Sequence, residues 1–346
     1  MTPSVKQSAL CAAFALLLLG SGCDTLGIGG EGNDQVSLFA VELDNRWGYI
    51  NADGRMIIEP RFTSAGEFSD GVAAVRDGSG AYGYITPDGE YVIEPQFSGA
   101  RPFREGLAPA ALDGRWGYIN TRGTFVINPA FTEASAFSDG RAFIRTSSWV
   151  WEYIDKSGNI IRTDETPSFG ENDEAMFKDG LALVRDEGSY GYINTSTRVV
   201  IPLQYTEARS FSDGRAAIKI SDRWGFIDKS RNTIIDPKYI SAGSFNDGLA
   251  PVRETGNVWG YIDESGRVVI QEQYEDARSF SDRRAAVMIE GKWGFIDTGG
   301  NLVAPAMFDD VDDFKNGLAR VYRFFGENER MGYIDTAGKD VWYPTD

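Results

Sequence analysis

The chain has 346 residues, among them 40 glycines, two cysteines and no histidine, with a formal net charge of −17. Without histidine it can hold no Ser-His-Asp or Cys-His relay, no His-ligated zinc and no imidazole acid–base group. An acidic chain with no basic cluster is a poor nucleic-acid binder, because that affinity rests on neutralising phosphates, and an apolar and aromatic content of 42% is too high for a disordered acidic tail.

The chain opens on an address. Lys6 precedes an unbroken apolar run, Ala9 to Leu19. That length suits a secretory signal and falls short of the about 20 residues of a membrane span. Gly20-Ser21-Gly22-Cys23 follows. Small residues before a cysteine resemble the lipobox of bacterial lipoproteins, although Gly20 stands where those proteins usually carry Leu. The resemblance implies that residues 1–22 are a signal peptide and that Cys23 is lipidated and becomes the N-terminus. It also implies an exported protein, anchored in a membrane of the bacterial envelope on its periplasmic or surface side. The alternative is an ordinary signal peptide that leaves Cys23 as a thiol. Cys11 lies in the removed segment, so no internal disulfide is expected. Asp24 to Gln35, glycine-rich and polar, reads as a flexible tether over residues 23–35.

From there one unit is written repeatedly. Aromatic-Gly-aromatic-Ile occurs at Trp47, Tyr82, Trp116, Tyr190, Trp224, Trp259 and Trp293, with variants at Trp151 (Glu152 for Gly) and Met331 (Met for the aromatic). Successive copies are 34 to 39 residues apart. A second anchor follows 21 residues after the tetrapeptide in all but one unit: Phe68, Phe103, Phe137, Phe177, Phe211, Phe245, Phe280 and Phe314, most of them opening Phe-x-Asp-Gly. The exception is Trp151 to Phe177, at 26. Each unit reads as three strands. The tetrapeptide strand ends in a tight turn such as Asp53-Gly54. A β-branched strand, for example Ile57-Ile58-Glu59-Pro60, is expected to stop at its proline, which cannot donate to a ladder. A return strand such as Val72-Ala73-Ala74-Val75 follows the Phe turn. No apolar stripe of helical period persists.

This pattern resembles the WG-repeat family, also called KWG repeats, over residues 37 to 346. The carriers are the Trp-Gly-Tyr/Phe-Ile strands, the Ile/Val-Ile-Glu-Pro segments and the Phe-Ser-Asp-Gly turns; Arg283 in Phe280-Ser281-Asp282-Arg283 departs from it. The resemblance implies an all-β repeat module and implies no catalytic site. The expected fold is all-β, about nine three-stranded antiparallel β-meanders in tandem over residues 36–346. An open, superhelical, solenoid-like stack is preferred. A chain in phase at both ends offers no strand exchange to close a ring, and nine units exceed the usual four to eight blades. A β-propeller-like ring is the alternative.

Units that cannot bury an apolar face alone must stack on neighbours, so the recurring Trp and Tyr are assigned to the core rather than to a ligand platform. The turn aspartates are assigned to backbone bonding rather than to calcium, which needs several converging oxygens. No catalytic, metal or cofactor residue is assigned. An interaction surface is expected where the repeat breaks: Trp149 and Glu152, Glu171 in the insertion near Pro167 to Glu174, and Phe324 and Phe325 in the long hairpin Tyr322 to Arg330. The expected function is a lipid-anchored, non-catalytic binding or scaffold module, with an acidic surface for a protein or envelope-polymer partner and no nucleic acid. The alternatives are a carboxylate-based hydrolase of envelope glycans, for which Asp309-Asp310-Val311-Asp312-Asp313 is the densest acidic run, and a purely structural spacer.

Overall fold

Aromatic and β-branched residues favour extended backbone, and each tetrapeptide forms a central strand of a small antiparallel sheet. The computed structural model describes residues 37–162, 176–326 and 328–344. The signal segment, Cys23, the tether and the insertion with Glu171 lie outside the described residues. Val36–Asp346 forms one compact unit.

In the second sheet the strands run, edge to edge, Ser64–Ala65, Ala73–Arg76, Tyr82–Ile85 and Tyr91–Phe97. The last three are the return, tetrapeptide and proline strands of the sequence pattern. Nine sheets are described, seven with these four strands and two, the first and fifth, with the last three only; they span residues 38–62, 64–97, 99–131, 133–161, 181–205, 207–239, 241–274, 276–308 and 310–342 and are numbered here as blades 1 to 9. The two-residue edge strand is an addition to the expected meander. It pairs with the return strand, as in Ser64↔Arg76 and Ala65↔Val75.

The proline does not end its strand. Met56–Phe62 runs through Pro60 and pairs Trp47 with Phe62 and Tyr49 with Ile58. Three residues on this strand therefore oppose Gly48 alone. Proline sits in that bulge, where no ladder N–H is required. The glycine is needed because the bulged backbone lies against it: a Cβ at Gly48 would stand 2.4 Å from the Ile58 carbonyl oxygen. Alternate residues of these strands face solvent, Ile57, Val92 and Val126 among them, so the proline strand forms the outer edge.

Blades pack face to face. Tyr49 of blade 1 meets Phe68 of the next blade edge-on, with ring centroids 5.0 Å apart. The pairs Tyr84–Phe103, Tyr118–Phe137, Tyr192–Phe211, Phe226–Phe245, Tyr261–Phe280 and Phe295–Phe314 repeat the contact at 4.8 to 5.0 Å. This explains the constant interval between the two sequence anchors, because both ends of it meet at one interface. Across the insertion, Tyr153 and Phe177 still meet, at 5.1 Å. Tyr49, Tyr84, Tyr118, Tyr192 and Tyr261 each also donate a hydrogen bond to a backbone carbonyl of the following blade, at 2.7 to 2.9 Å.

The stack closes. Val41 and Ile50 of blade 1 share a core cluster with Leu318 and Tyr333 of blade 9. Phe39 meets the Tyr333 ring at 5.6 Å, and Lys315 pairs with Glu67. The described blades form a nine-bladed β-propeller, the ring rather than the preferred open stack. Each blade is built from one contiguous segment, so closure comes from packing the face of blade 9 on blade 1 and needs no exchanged strand.

Candidate interaction surfaces

The Phe-x-Asp-Gly turns place two residues with positive φ between the edge strand and the return strand, as at Asp70 (φ 50) and Gly71 (φ 82). Such a pair makes a two-residue type I′ turn, closed by Ser69 N–H to the Val72 carbonyl at 2.9 Å and the reverse bond at 3.2 Å. The aspartate does not serve its own turn. Its carboxylate accepts the backbone N–H of the equivalent turn one blade on: Asp70 from Gly106, Glu105 from Gly140, Asp139 from Gly180, Asp179 from Gly214, Asp213 from Gly248, Asp247 from Arg283 and Asp282 from Gly317, at 2.7 to 3.1 Å. In a ring, copies of one position lie closer together the nearer they are to the axis. These turns therefore form the inner rim of one end. Their carboxylates are spread around that rim, and no group of three metal-ligating side chains is found among the described residues.

Trp149 lies at the opposite end of its blade, in the hairpin between return and tetrapeptide strands. Its N–H donates to the Thr146 carbonyl at 3.0 Å, and Thr146 N–H to the Val150 carbonyl at 2.9 Å. Blade 2 makes the same two bonds with Gly80 in the place of Trp149. Gly80 has φ 91 and Trp149 has φ 65, the one aromatic among the described residues in the left-handed region. A bulky side chain there is strained. The indole is 66% exposed, with the Arg145 guanidinium 4.2 Å from the centre of its ring. Arg145 also lies 5.5 Å from the Trp151 ring, which stacks on Phe143 at 4.8 Å and 7°. The result is a row of flat groups whose outermost member faces solvent.

Glu152, expected beside Trp149 at the surface, is instead buried, and its carboxylate pairs with Arg162 at 2.8 Å. Phe324 is exposed at the tip of the blade 9 hairpin, and the backbone of Phe325 pairs with Asn328. Blades 4 and 9 are well separated around the ring, so Trp149 and Phe324 belong to two surfaces. The acidic run is also dispersed. Asp309 bonds Lys292 at 2.5 Å, which holds its carboxyl below the usual range, and Asp310 pairs with Arg278 at 3.1 Å. Asp312 pairs with Arg320 at 3.8 Å. Partial burial of Asp313, with the Asp312 charge beside it, holds its carboxyl above the usual range.

The family model for the WG containing repeat matches residues 47–79, 82–116, 116–147, 190–224, 224–257, 259–293 and 293–322. The chain belongs to the WG-repeat family. No curated protein gives a significant match. Among solved structures, BamB from Moraxella catarrhalis is similar at 10% identity and a TM-score of 0.45, over 82% of this chain and 96% of that one. A eukaryotic initiation factor is similar at 12% identity and 0.46, over 90% and 85%. Hsv2p of Kluyveromyces lactis is similar at 10% identity and 0.39, over 76% and 93%.

The WG-repeat residues are spent on architecture: Tyr49, Tyr84, Tyr118, Tyr153 and their equivalents are core side chains. Trp149 was visible in the sequence as a departure from the repeat. Its left-handed backbone was not, because that follows from the alignment of its hairpin with the glycine-bearing one of blade 2.

Proposed function

We propose that this WG-repeat propeller is a non-catalytic binding module of the bacterial envelope, held to its membrane through acylated Cys23, and that a protein or polymer partner docks at the hairpin between the return and tetrapeptide strands of blade 4. The exposed Trp149 in a backbone conformation suited to glycine carries this reading. Left-handed backbone costs an L-residue roughly 1–2 kcal/mol, and such strain gathers at functional positions. Tryptophan and arginine dominate binding hot spots, and Arg145 holds this indole in place beforehand. The net charge of −17 supports a partner that is basic, or that carries basic groups, because complementary charge speeds encounter.

The test compares wild type with Trp149→Gly in an envelope extract, with a photo-crosslinking residue at Ser148. The substituted hairpin is expected to be at least as stable as wild type and to lose the crosslinked species. Retention of the same species by Trp149→Gly sinks the docking site. Fatty-acid labelling of wild type against Cys23→Ala tests the anchor separately.

A further inference from the structure

We propose that the cavity between the rim turns of blades 7 and 8 binds arginine by both of its charged ends, as the free amino acid or as the C-terminal residue of a peptide. The cavity has a volume of about 440 Å³ and is walled by Asp247, Gly248 and Leu249 of blade 7 and by Arg283 and Thr298 of blade 8. Small-molecule sites are commonly about 300–1,000 Å³.

Other interfaces show what this place takes. In blade 4 the residue after the rim turn is Arg141, whose Nε donates to the Thr195 carbonyl of the next blade at 2.6 Å. In blade 8 it is Arg284, whose Nε donates to the Thr336 carbonyl at 2.6 Å. In blade 6 it is Arg215, which pairs with Glu264 of the next blade at 3.1 Å. Blade 3 has Leu107 there, and the cation comes from the far side: Lys156 of blade 4 pairs with Glu105 at 3.1 Å. Thr298 holds the position of Thr195 and Thr336, each directly after a residue whose carbonyl closes the same hairpin turn. Blade 7 has Leu249 after its rim turn, and no cation bonds the Thr298 carbonyl among the described residues. A guanidinium that enters the cavity meets the acceptor that Arg141 and Arg284 meet in their own interfaces. Asp247 stands beside it. One oxygen of that carboxylate accepts the Arg283 N–H at 2.7 Å, and a carboxylate has lone pairs for further donors.

Blade 8 supplies the opposite charge. The other rim turns carry glycine at their second position, such as Gly248 at φ 78, whereas this one carries Arg283 at φ 60. Left-handed backbone disfavours an L-residue. The Arg283 guanidinium forms no ion pair or hydrogen bond among the described residues, in a chain of net charge −17. A planar fork of donors grips a carboxylate at two points, so an unpaired arginine at the mouth of this cavity suits the carboxyl end of a ligand. A simple cation would be repelled by Arg283, and a simple anion by Asp247. Arginine with a free carboxylate answers both walls at once.

The site lies at the end of the ring opposite Trp149, and its failure leaves the blade 4 reading untouched. The experiment titrates the purified protein by calorimetry and by the amide chemical shifts of Gly248 and Arg283. The ligands are L-arginine, agmatine (the same guanidinium without a carboxylate), the tripeptide glycyl-glycyl-arginine and its C-terminal amide. Wild type is expected to bind L-arginine or the tripeptide saturably, with shifts at both amides, and to bind agmatine and the peptide amide about tenfold more weakly. Binding of the tripeptide assigns the site to a peptide C-terminus, and binding of L-arginine alone assigns it to the free amino acid. Arg283→Gly restores the residue of the other rim turns. It is expected to melt no lower than wild type and to lose the preference for a free carboxylate. Leu249→Arg puts into the cavity the guanidinium that blades 4 and 8 already carry there, and is expected to keep the fold and abolish binding. Absence of saturable binding to wild type overturns the proposal. Equal binding by wild type and Leu249→Arg, or equal affinity of wild type for L-arginine and agmatine, overturns it as well.

Discussion

The Tyr333 hydroxyl donates a hydrogen bond to the Ala40 carbonyl at 2.9 Å, joining residues 293 apart in the chain. The same oxygen accepts from Arg320 Nη2 at 2.9 Å. Its counterparts Tyr49, Tyr84 and Tyr118 reach forward 17 residues into the next blade. For blade 9 the next blade is the first, so a bond that is local everywhere else becomes the seam of the ring. Tyr333→Phe should keep the packing, since Phe226 and Phe295 fill this position elsewhere. It leaves the Ala40 carbonyl without this donor and Arg320 without this acceptor, a cost of about 1–3 kcal/mol. Denaturant unfolding measures the loss. Amide exchange should rise first in Leu38–Leu43 and Asn328–Asp335; a uniform rise across all blades would show that the seam is no weaker than the other interfaces.

Much of this ring was legible in the sequence because its two anchors touch. Tyr49 and Phe68 are 19 residues apart and meet at one interface, so the interval repeats in every unit but the one that carries the insertion, where Tyr153 and Phe177 meet all the same. Ring closure was not legible. It depends on the rotation accumulated from blade to blade, which comes from face packing and leaves no periodic mark. The strand running through Pro60 was missed because a bulge opposite Gly48 removes the need for a proline N–H. The turn aspartates were correctly assigned to backbone bonding, yet their partners lie a whole blade away, a distance that turn chemistry alone does not reveal. At the candidate surface, a broken repeat pointed to Trp149 and Glu152 alike. Only burial separates the exposed indole from the carboxylate paired with Arg162.

Two glycines, Gly83 and Gly106, have different expected costs on substitution. A Cβ at Gly83 would stand 2.6 Å from the Ile93 carbonyl oxygen and 2.8 Å from the Pro95 nitrogen. Both obstacles are backbone, so Gly83→Ala should lose about 1–3 kcal/mol by overpacking and disturb the bulge. Gly106 meets nothing within 4 Å but has φ 83, so Gly106→Ala should pay only the left-handed backbone, about 1–2 kcal/mol. Thermal melts give both values. The structural distinction lies in the amide shifts of Glu94 and Gln96, which Gly83→Ala should move and Gly106→Ala should not.

The rim ladder predicts a graded response at Asp213, whose carboxylate accepts the Gly248 N–H at 3.1 Å. Asp213→Ala removes the acceptor and should cost about 0.5–1.5 kcal/mol. Asp213→Asn keeps an acceptor oxygen and should recover most of that. Both should leave the spectra of blades 1 to 3 unchanged, because the bond joins only neighbouring turns. Equal stability of Asp213→Ala and wild type would reduce the ladder to a geometric coincidence.

Alkaline pH should open the ring. Burial pushes the hydroxyls of Tyr49, Tyr84, Tyr118 and Tyr261 well above their usual value of 10.0. In the unfolded chain these phenols ionise near their usual pH, while in the fold they stay protonated. Their contribution is therefore complete below pH 10 and is lost as pH rises past it towards the folded values. The tyrosinate absorbance of these four, read as the difference between wild type and the variant with all four replaced by phenylalanine, should consequently appear together with unfolding and not before it. Replacing the four by phenylalanine removes the groups that drive the transition and should move its midpoint to higher pH, at the expense of four hydrogen bonds at neutral pH. If that difference signal forms while circular dichroism still reports the native sheet, the four hydroxyls are reached by solvent and do not control the alkaline limit.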